Sequence, residues 1–272
     1  MILSPALVLG VTASVGSPPP AQRFAFQRLR LGESVTKVID AEGSPRVVST
    51  DVGHVWTWEK AGDKIRLTTD DDGVVRMIDL LPAANDHFAL KLPSIPAPTI
   101  AFGVLTVEQA DANLAAIADF SGAGTFPDTG AKADFRAYRL TPHQDAVFLF
   151  DDATKELSEI FYGERDFLAR SGLMPGAPES NTPRYTAPVL QHEGNADYPP
   201  TLKEGDAFLR LSVEKGGTVS NATVFVTSGD PRLDLAAVVS AKHDIFTPAK
   251  FNGSPVSAIV FVREEFRQLP AH

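Results

Sequence analysis

A chain without cysteine does its polar chemistry through carboxylates, histidines and hydroxyls, so the spacing of those groups decides what chemistry is open to it. Thr68-x-Asp70-x-Asp72-Gly73, with Asp79 beyond, has the outline of an oxygen-rich calcium loop. Its first position is Thr, its closing residue is Asp in place of Glu, and its flanks alternate like strands. A hairpin turn accounts for it better. The six histidines (His54, His87, His143, His192, His243, His272) are scattered, and no two fall at the i, i+4 spacing that turns a pair of imidazoles toward one metal. Asp151-Asp152 and Glu164 supply carboxylates for acid–base work, yet turn and helix-start chemistry explains their positions. No nucleophile elbow, phosphate-binding loop or dinucleotide fingerprint occurs. The absence of cysteine removes disulfides, thiolate zinc sites, thiol catalysis and acylation at an N-terminal cysteine. The reading is a non-enzyme, with no catalytic residue, no metal ligand and no cofactor.

The composition supports folded, partner-binding domains. Of 272 residues, 43% are hydrophobic and 22% charged, enough apolar material for real cores. A formal net charge of -9 without a basic cluster argues against nucleic acid. Met1 to Gly16 is uncharged and largely apolar, and Ala13, Ser14 and Gly16 precede Ser17-Pro18-Pro19-Pro20. This is the outline of an export signal without its usual basic start, and it is short for a membrane span. Residues 1–21 are therefore expected to be a signal peptide or a short hydrophobic segment, and the protein to lie in the periplasm or cell envelope.

Proline divides the rest. Pro82, Pro93, Pro96 and Pro98 form one break, and Pro175, Pro178, Pro183 and Pro188 form another, among small polar residues typical of linkers. The expected units are 22–90, 91–174, a linker at 175–190, and 191–272. The first opens with a helix over 35–41, stopped at Gly43-Ser44-Pro45. Strands follow over 46–50, 54–60, 64–69 and 74–80, with Val55-Trp56-Thr57-Trp58 at the two-residue period of a half-buried sheet. The second repeats the plan with a helix over 107–118, strands at 135–140, 146–150 and 156–162, and a short helix at 164–171. This order, carried by Leu31-Gly32, Gly43-Ser44-Pro45, Trp56 and Asp72-Gly73-Val74-Val75, resembles the BamE (SmpA/OmlA) family of small envelope domains. Those proteins are lipoproteins, and this chain has no cysteine for that attachment.

The last unit carries the more specific signal. Tyr198-Pro199-Pro200 precedes an alternating strand at Phe208 to Val213, then Lys215-Gly216-Gly217 and a second strand opened by Gly217-Thr218-Val219-Ser220-Asn221. Leu233-Asp234-Leu235-Ala236-Ala237 starts a helix, Phe246-Thr247-Pro248-Ala249 and Asn252-Gly253-Ser254-Pro255-Val256 follow, and 257–266 forms a last strand. From about 197 to 267 these landmarks resemble, in order, the C-terminal domain of TonB-family energy transducers. The fold class expected is α+β: two helix-plus-antiparallel-meander repeats, then strand, strand, helix, strand.

The TonB resemblance implies a module that grips a protein partner by β-strand addition at its last strand. The residues it points to are Val256, Ala258, Val260, Val262, Arg263, Glu264, Phe266 and Arg267. It implies an outer-membrane receptor or assembly component as partner, linked to transport, with a homodimer through the same edge as the further option and no small-molecule substrate. The intramembrane helix and long charged spacer of energy transducers have no counterpart in this sequence, so binding without energising is the expectation. The alternative is a structural envelope protein that uses the same domain for self-association or outer-membrane assembly.

Overall fold

Residues that alternate apolar and polar need a second strand beside them, and through the first two-thirds of the chain they find it in one another. The computed structural model describes residues 29–60, 62–81, 89–90, 100–101, 105–114, 118–125, 132–173, 185–195, 199 and 203–268. The expected export segment at 1–21 lies outside them. Helix α1 (Thr36–Glu42) leads into strands β1 (Arg46–Ser49), β2 (His54–Lys60), β3 (Asp63–Thr69) and β4 (Val75–Leu81). Gly43, at φ +83°, ends α1 and donates its N–H to the Ile39 carbonyl. The turn between β3 and β4 is held by the Asp70 carboxylate, which accepts the N–H groups of Asp72 and Val74 at 3.0 Å each.

A short pair, β5 (Ala89–Leu90) and β6 (Ile100–Ala101), precedes α2 (Val107–Leu114). Then come β7 (Ala118–Thr125), β8 (Lys132–Thr141), β9 (Gln144–Asp151), β10 (Leu157–Glu164) and α3 (Arg165–Arg170). The helix expected to reach 118 ends at Leu114, and 118–125 becomes a strand for which the sequence offers no signal. Its Phe120-Ser121-Gly122-Ala123-Gly124 is poor in strand formers, and it pairs with β8 along its length as the outermost strand.

The two meanders form one eight-stranded antiparallel sheet, ordered β1-β2-β3-β4-β10-β9-β8-β7. They meet at β4 and β10, where Phe161 lies opposite Asp79. One face is apolar and continuous, with Val35 just before α1, Ile39 of α1 and Ala110 of α2 packed on Trp58, Leu67, Phe148 and Ile160. The opposite face carries α3, whose Leu168 packs with Phe135, Leu149 and Phe161.

Two short strands fall within the expected linker and across its end. Tyr185–Thr186 forms β11 and Val189–His192 forms β12, before β13 (Gly205–Val213), β14 (Val219–Val226) and α4 (Pro231–Ala241). Asp230 caps α4 by accepting the Arg232 N–H at 2.9 Å, with Pro231 at the first helical position. Three short strands, β15 (Ile245–Thr247), β16 (Ala249–Phe251) and β17 (Ser254–Val256), precede β18 (Ala258–Phe266). The main sheet is β14-β13-β18, and the segment before β13 is tied back by β11 on β16 and β12 on β15. The fold is α+β and dominated by strands.

Candidate functional site

Strand β13 has alternating apolar residues because both its faces are buried, by two different partners. Ala207, Leu209, Leu211 and Val213 point to α4 and meet its Leu233, Ala237 and Ala241. Phe208 points the other way, with Phe225 of β14 and Phe261 of β18, onto the eight-stranded sheet. Trp56 is the anchor there, with no exposed surface. Its ring centroid lies 5.1 Å from Phe261, 5.7 Å from Phe208 and 6.0 Å from Phe225. Its indole N–H donates to the Thr69 hydroxyl at 3.0 Å, so the buried polar atom is satisfied.

The β3–β4 turn is part of the same seat. Gly73 has φ +75°, and a Cβ there would lie 2.5 Å from the Phe225 ring. The guanidinium of Arg210 donates to the Asp71 carbonyl at 2.8 Å. His54, buried at the edge of this contact, bridges the Ser49 hydroxyl (2.9 Å) and the Asp71 carboxylate (3.0 Å). Sequence reasoning recognised the turn and the tryptophan as local features. It missed that they form the seat for the C-terminal unit, because nothing local marks the partner of a buried aromatic.

The faces of β13 and β18 are largely covered, whereas β14 is mostly exposed, and the outer strands of this sheet are β14 and β18. Strand β18 pairs along its length with β13, from Ala258 opposite Val213 to Phe266 opposite Gly205. Among the described strands it has no second hydrogen-bonded neighbour. Strand β1 packs against it without sharing a ladder.

The residues singled out from sequence divide by side. Val256 lies on β17, opposite Ala249, ahead of the final strand. Val260, Glu264 and Phe266 are buried, and Val260 and Phe266 belong to the core under α4, with Val262 partly buried against it. Val260 is only 4% exposed and pairs with Leu211, so a proline there would test folding before binding. Arg263 and Arg267 converge on Asp206 of β13, Arg263 at 2.9 Å, and Arg263 also reaches Glu265 at 3.1 Å. Burial alone would raise the Asp206 carboxyl, but hydrogen bonds from Ser44 and Arg267 and the neighbouring arginine charges hold it below the usual range. The side chains at this end of the strand are thus already committed to one network, and what the edge can offer a partner is chiefly backbone.

Glu264 stands apart. Burial first, then the carboxylates of Asp244 and Glu193, push it up to about 7. Asp244 accepts the Gly194 N–H at 2.7 Å, and the Ser240 hydroxyl donates to the Gly194 carbonyl at 2.9 Å. These bonds clip the segment after β12 to the end of α4.

The family comparison coincides with this unit. Residues 201–267 match the model described as Gram-negative bacterial TonB protein C-terminal. The C-terminal unit is a TonB-like domain. The match begins just before β13 of that domain and ends just after β18, so β11 and β12 lie outside it. No curated protein matches the chain.

Among solved structures, a cysteine-rich secretory protein from Staphylococcus aureus matches at 13% identity and a TM-score of 0.35, over 51% of this chain and 46% of its own. A DUF4309 family protein from Bacillus subtilis matches at 13% and 0.36, over 51% and 84%. An extracellular protein containing an SCP domain from Bacillus anthracis matches at 13% and 0.39, over 58% and 52%. The chain thus spans about half the length of the first and third of these relatives. Likeness at this level carries no argument about fold or function. No helix among the described residues is long and apolar enough to cross a membrane.

Proposed function

We propose that this chain is a non-enzymatic envelope protein of the TonB family, acting in the periplasm, that binds a protein partner by adding the partner's extended segment to β18. The observation that carries this reading is the one-sided pairing of β18 among the described strands, in a sheet packed by α4 on one face and by the Trp56 seat on the other. An edge strand presents a row of N–H and C=O groups, and a peptide that satisfies them gains affinity from the ladder and selectivity from its alternate side chains. Glu265 and Arg267, at and just past the end of β18, are already paired with Arg263 and Asp206, so the grip on the partner is chiefly through the backbone. The implied partner is an outer-membrane receptor or assembly component. The large sheet serves as the platform that holds the TonB-like domain.

The test keeps the whole chain and places the block on the ligand. Extended peptides selected from a random display library are resynthesised with N-methyl groups on alternate residues. Methylation in the register that faces β18 is expected to weaken binding at least tenfold, and the opposite register to leave it unchanged. Hydrogen exchange should show the new protection within 258–266. Equal affinity in both registers, or protection centred on α4, would refute strand addition. A concentration-dependent mass without any peptide binding would move the reading to self-association through the same domain.

A further inference from the structure

Among the described residues, the face of the eight-stranded sheet turned away from the TonB-like domain is only partly covered. Helix α3 covers the second meander there, and beside it lies a cavity of about 410 Å³, floored by β3, β4 and β10 and bounded by the β1–β2 turn and the end of α3. That volume is within the range of small-molecule pockets, about 300–1,000 Å³. Met77, Phe161 and Leu173 give it an apolar wall.

Its floor carries charge that the fold does not require. Arg66, Asp79 and Glu159, from three adjacent strands, share this face across the seam between the meanders. The Arg66 guanidinium pairs with the Asp79 Oδ2 oxygen and donates to the Glu159 carboxylate at 2.8 Å. Asp79 is 3% exposed, and its Oδ1 meets no donor. Burial, then the Glu159 carboxylate beside it, pushes Asp79 well above the ordinary carboxylate range, with Arg66 pulling the other way. A buried carboxyl beside a second carboxylate, with one oxygen unserved, is a costly arrangement in a fold that could have placed an apolar residue there.

We propose that this cavity binds a small organic cation, a primary ammonium on an apolar body, with Asp79 and Glu159 as its counter-charges. The choice of sign follows from the pairing. One guanidinium already serves both acids, so an anion would have to displace a carboxylate and leave surplus negative charge buried. An ammonium instead supplies the N–H donor that Oδ1 lacks and the second positive charge that two ionised carboxylates call for. Its apolar body lies along Met77, Phe161 and Leu173. Asp51 and Arg170, of opposite charge, also line the wall. Because the ammonium favours ionised Asp79, binding expels a proton from the site.

Calorimetric titration of the whole chain with butylammonium and phenethylammonium tests this, with butyrate and butanol as charge controls. The amines are expected to bind and the controls not to. Affinity should rise as pH rises above the ordinary carboxylate range, by up to about tenfold per unit, the limit for one released proton, and heats in buffers of different ionisation enthalpy should report that proton. Asp79→Asn is expected to weaken amine binding at least tenfold and to abolish the proton release. Its melting temperature should hold or rise, because a buried acid becomes a neutral amide of the same shape. Glu159→Gln should weaken binding in the same direction. Failure of the unmodified chain to bind either amine at millimolar concentration overturns the proposal, as does amine binding that Asp79→Asn leaves intact.

Discussion

Glu264 shows how one side chain makes the TonB-like domain sensitive to pH. Its folded pKa of about 7 lies above the ordinary 4.5, so the folded state holds a proton that the unfolded chain gives up. Below pH 4.5 both states keep it and stability is unaffected. As pH rises from about 4.5 to about 7 the folded state increasingly bears the cost, and above 7 the cost is complete. The size is of order 3 kcal/mol. Glu264→Gln removes the acid without changing its shape. Denaturant unfolding should therefore show wild type and variant nearly equal at pH 4.5, and the variant more stable at pH 8 by a large part of that amount. An equal difference at both pH values would mean that the Glu264 environment contributes only packing.

At the scale of elements, two glycines mark where a neighbour comes too close for a side chain. A Cβ at Gly194 would lie 2.1 Å from the Ser240 carbonyl oxygen. Gly194→Ala is therefore expected to unclip the segment after β12 from α4, and hydrogen exchange over 189–195 should speed up while the β13–β18 ladder keeps its protection. At Gly73 the obstacle is the Phe225 ring, and the positive φ adds backbone strain. Gly73→Ala should destabilise the protein by about 1–3 kcal/mol, and near-UV circular dichroism should report the displaced aromatic cluster. The helix and strand signals in the sequence were strongest where the period was clean. The strand expected over 54–60 around Val55-Trp56-Thr57-Trp58 coincides with β2. Strand β7 gave no such signal because its Gly and Ser residues are held by pairing with β8, a force that local propensity does not contain. Tyr185–Thr186, within the segment read as linker from its prolines, and Val189–His192, across its end, became strands for the same reason, since β16 and β15 supply their ladders.

At the scale of the whole molecule, the aromatic contact between Trp56 and Phe208, Phe225 and Phe261 ties the large sheet to the TonB-like domain. Phe261 is 2% exposed. Phe261→Ala should cost about 3–5 kcal/mol. It should also split a single cooperative unfolding transition into two, since each side retains its own core under α1 or α4. Intrinsic tryptophan fluorescence follows the unfolding of the large sheet through Trp56 and Trp58, and far-UV circular dichroism follows both transitions. Coincident transitions in the variant would show that other contacts, such as Arg210 with Asp71, suffice to couple the parts.

What the sequence determined by itself was what local chemistry can encode. The Gly43-Ser44-Pro45 stop, the Asp70-to-Gly73 turn, the alternation of β2, β3 and β18, and the ordered landmarks from Tyr198 to Phe266 each depend on residues near one another along the chain. Tertiary structure alone decided which of those alternating residues were already spent. It placed Val260 and Phe266 under α4, and it put Phe261 against a tryptophan some two hundred positions earlier. It also joined the two meanders at β4 and β10, which is what brings Asp79 and Glu159 to one cavity. A period of two says that one side of a strand is buried, but the identity of the surface that buries it is a long-range property, settled only when the whole chain has folded.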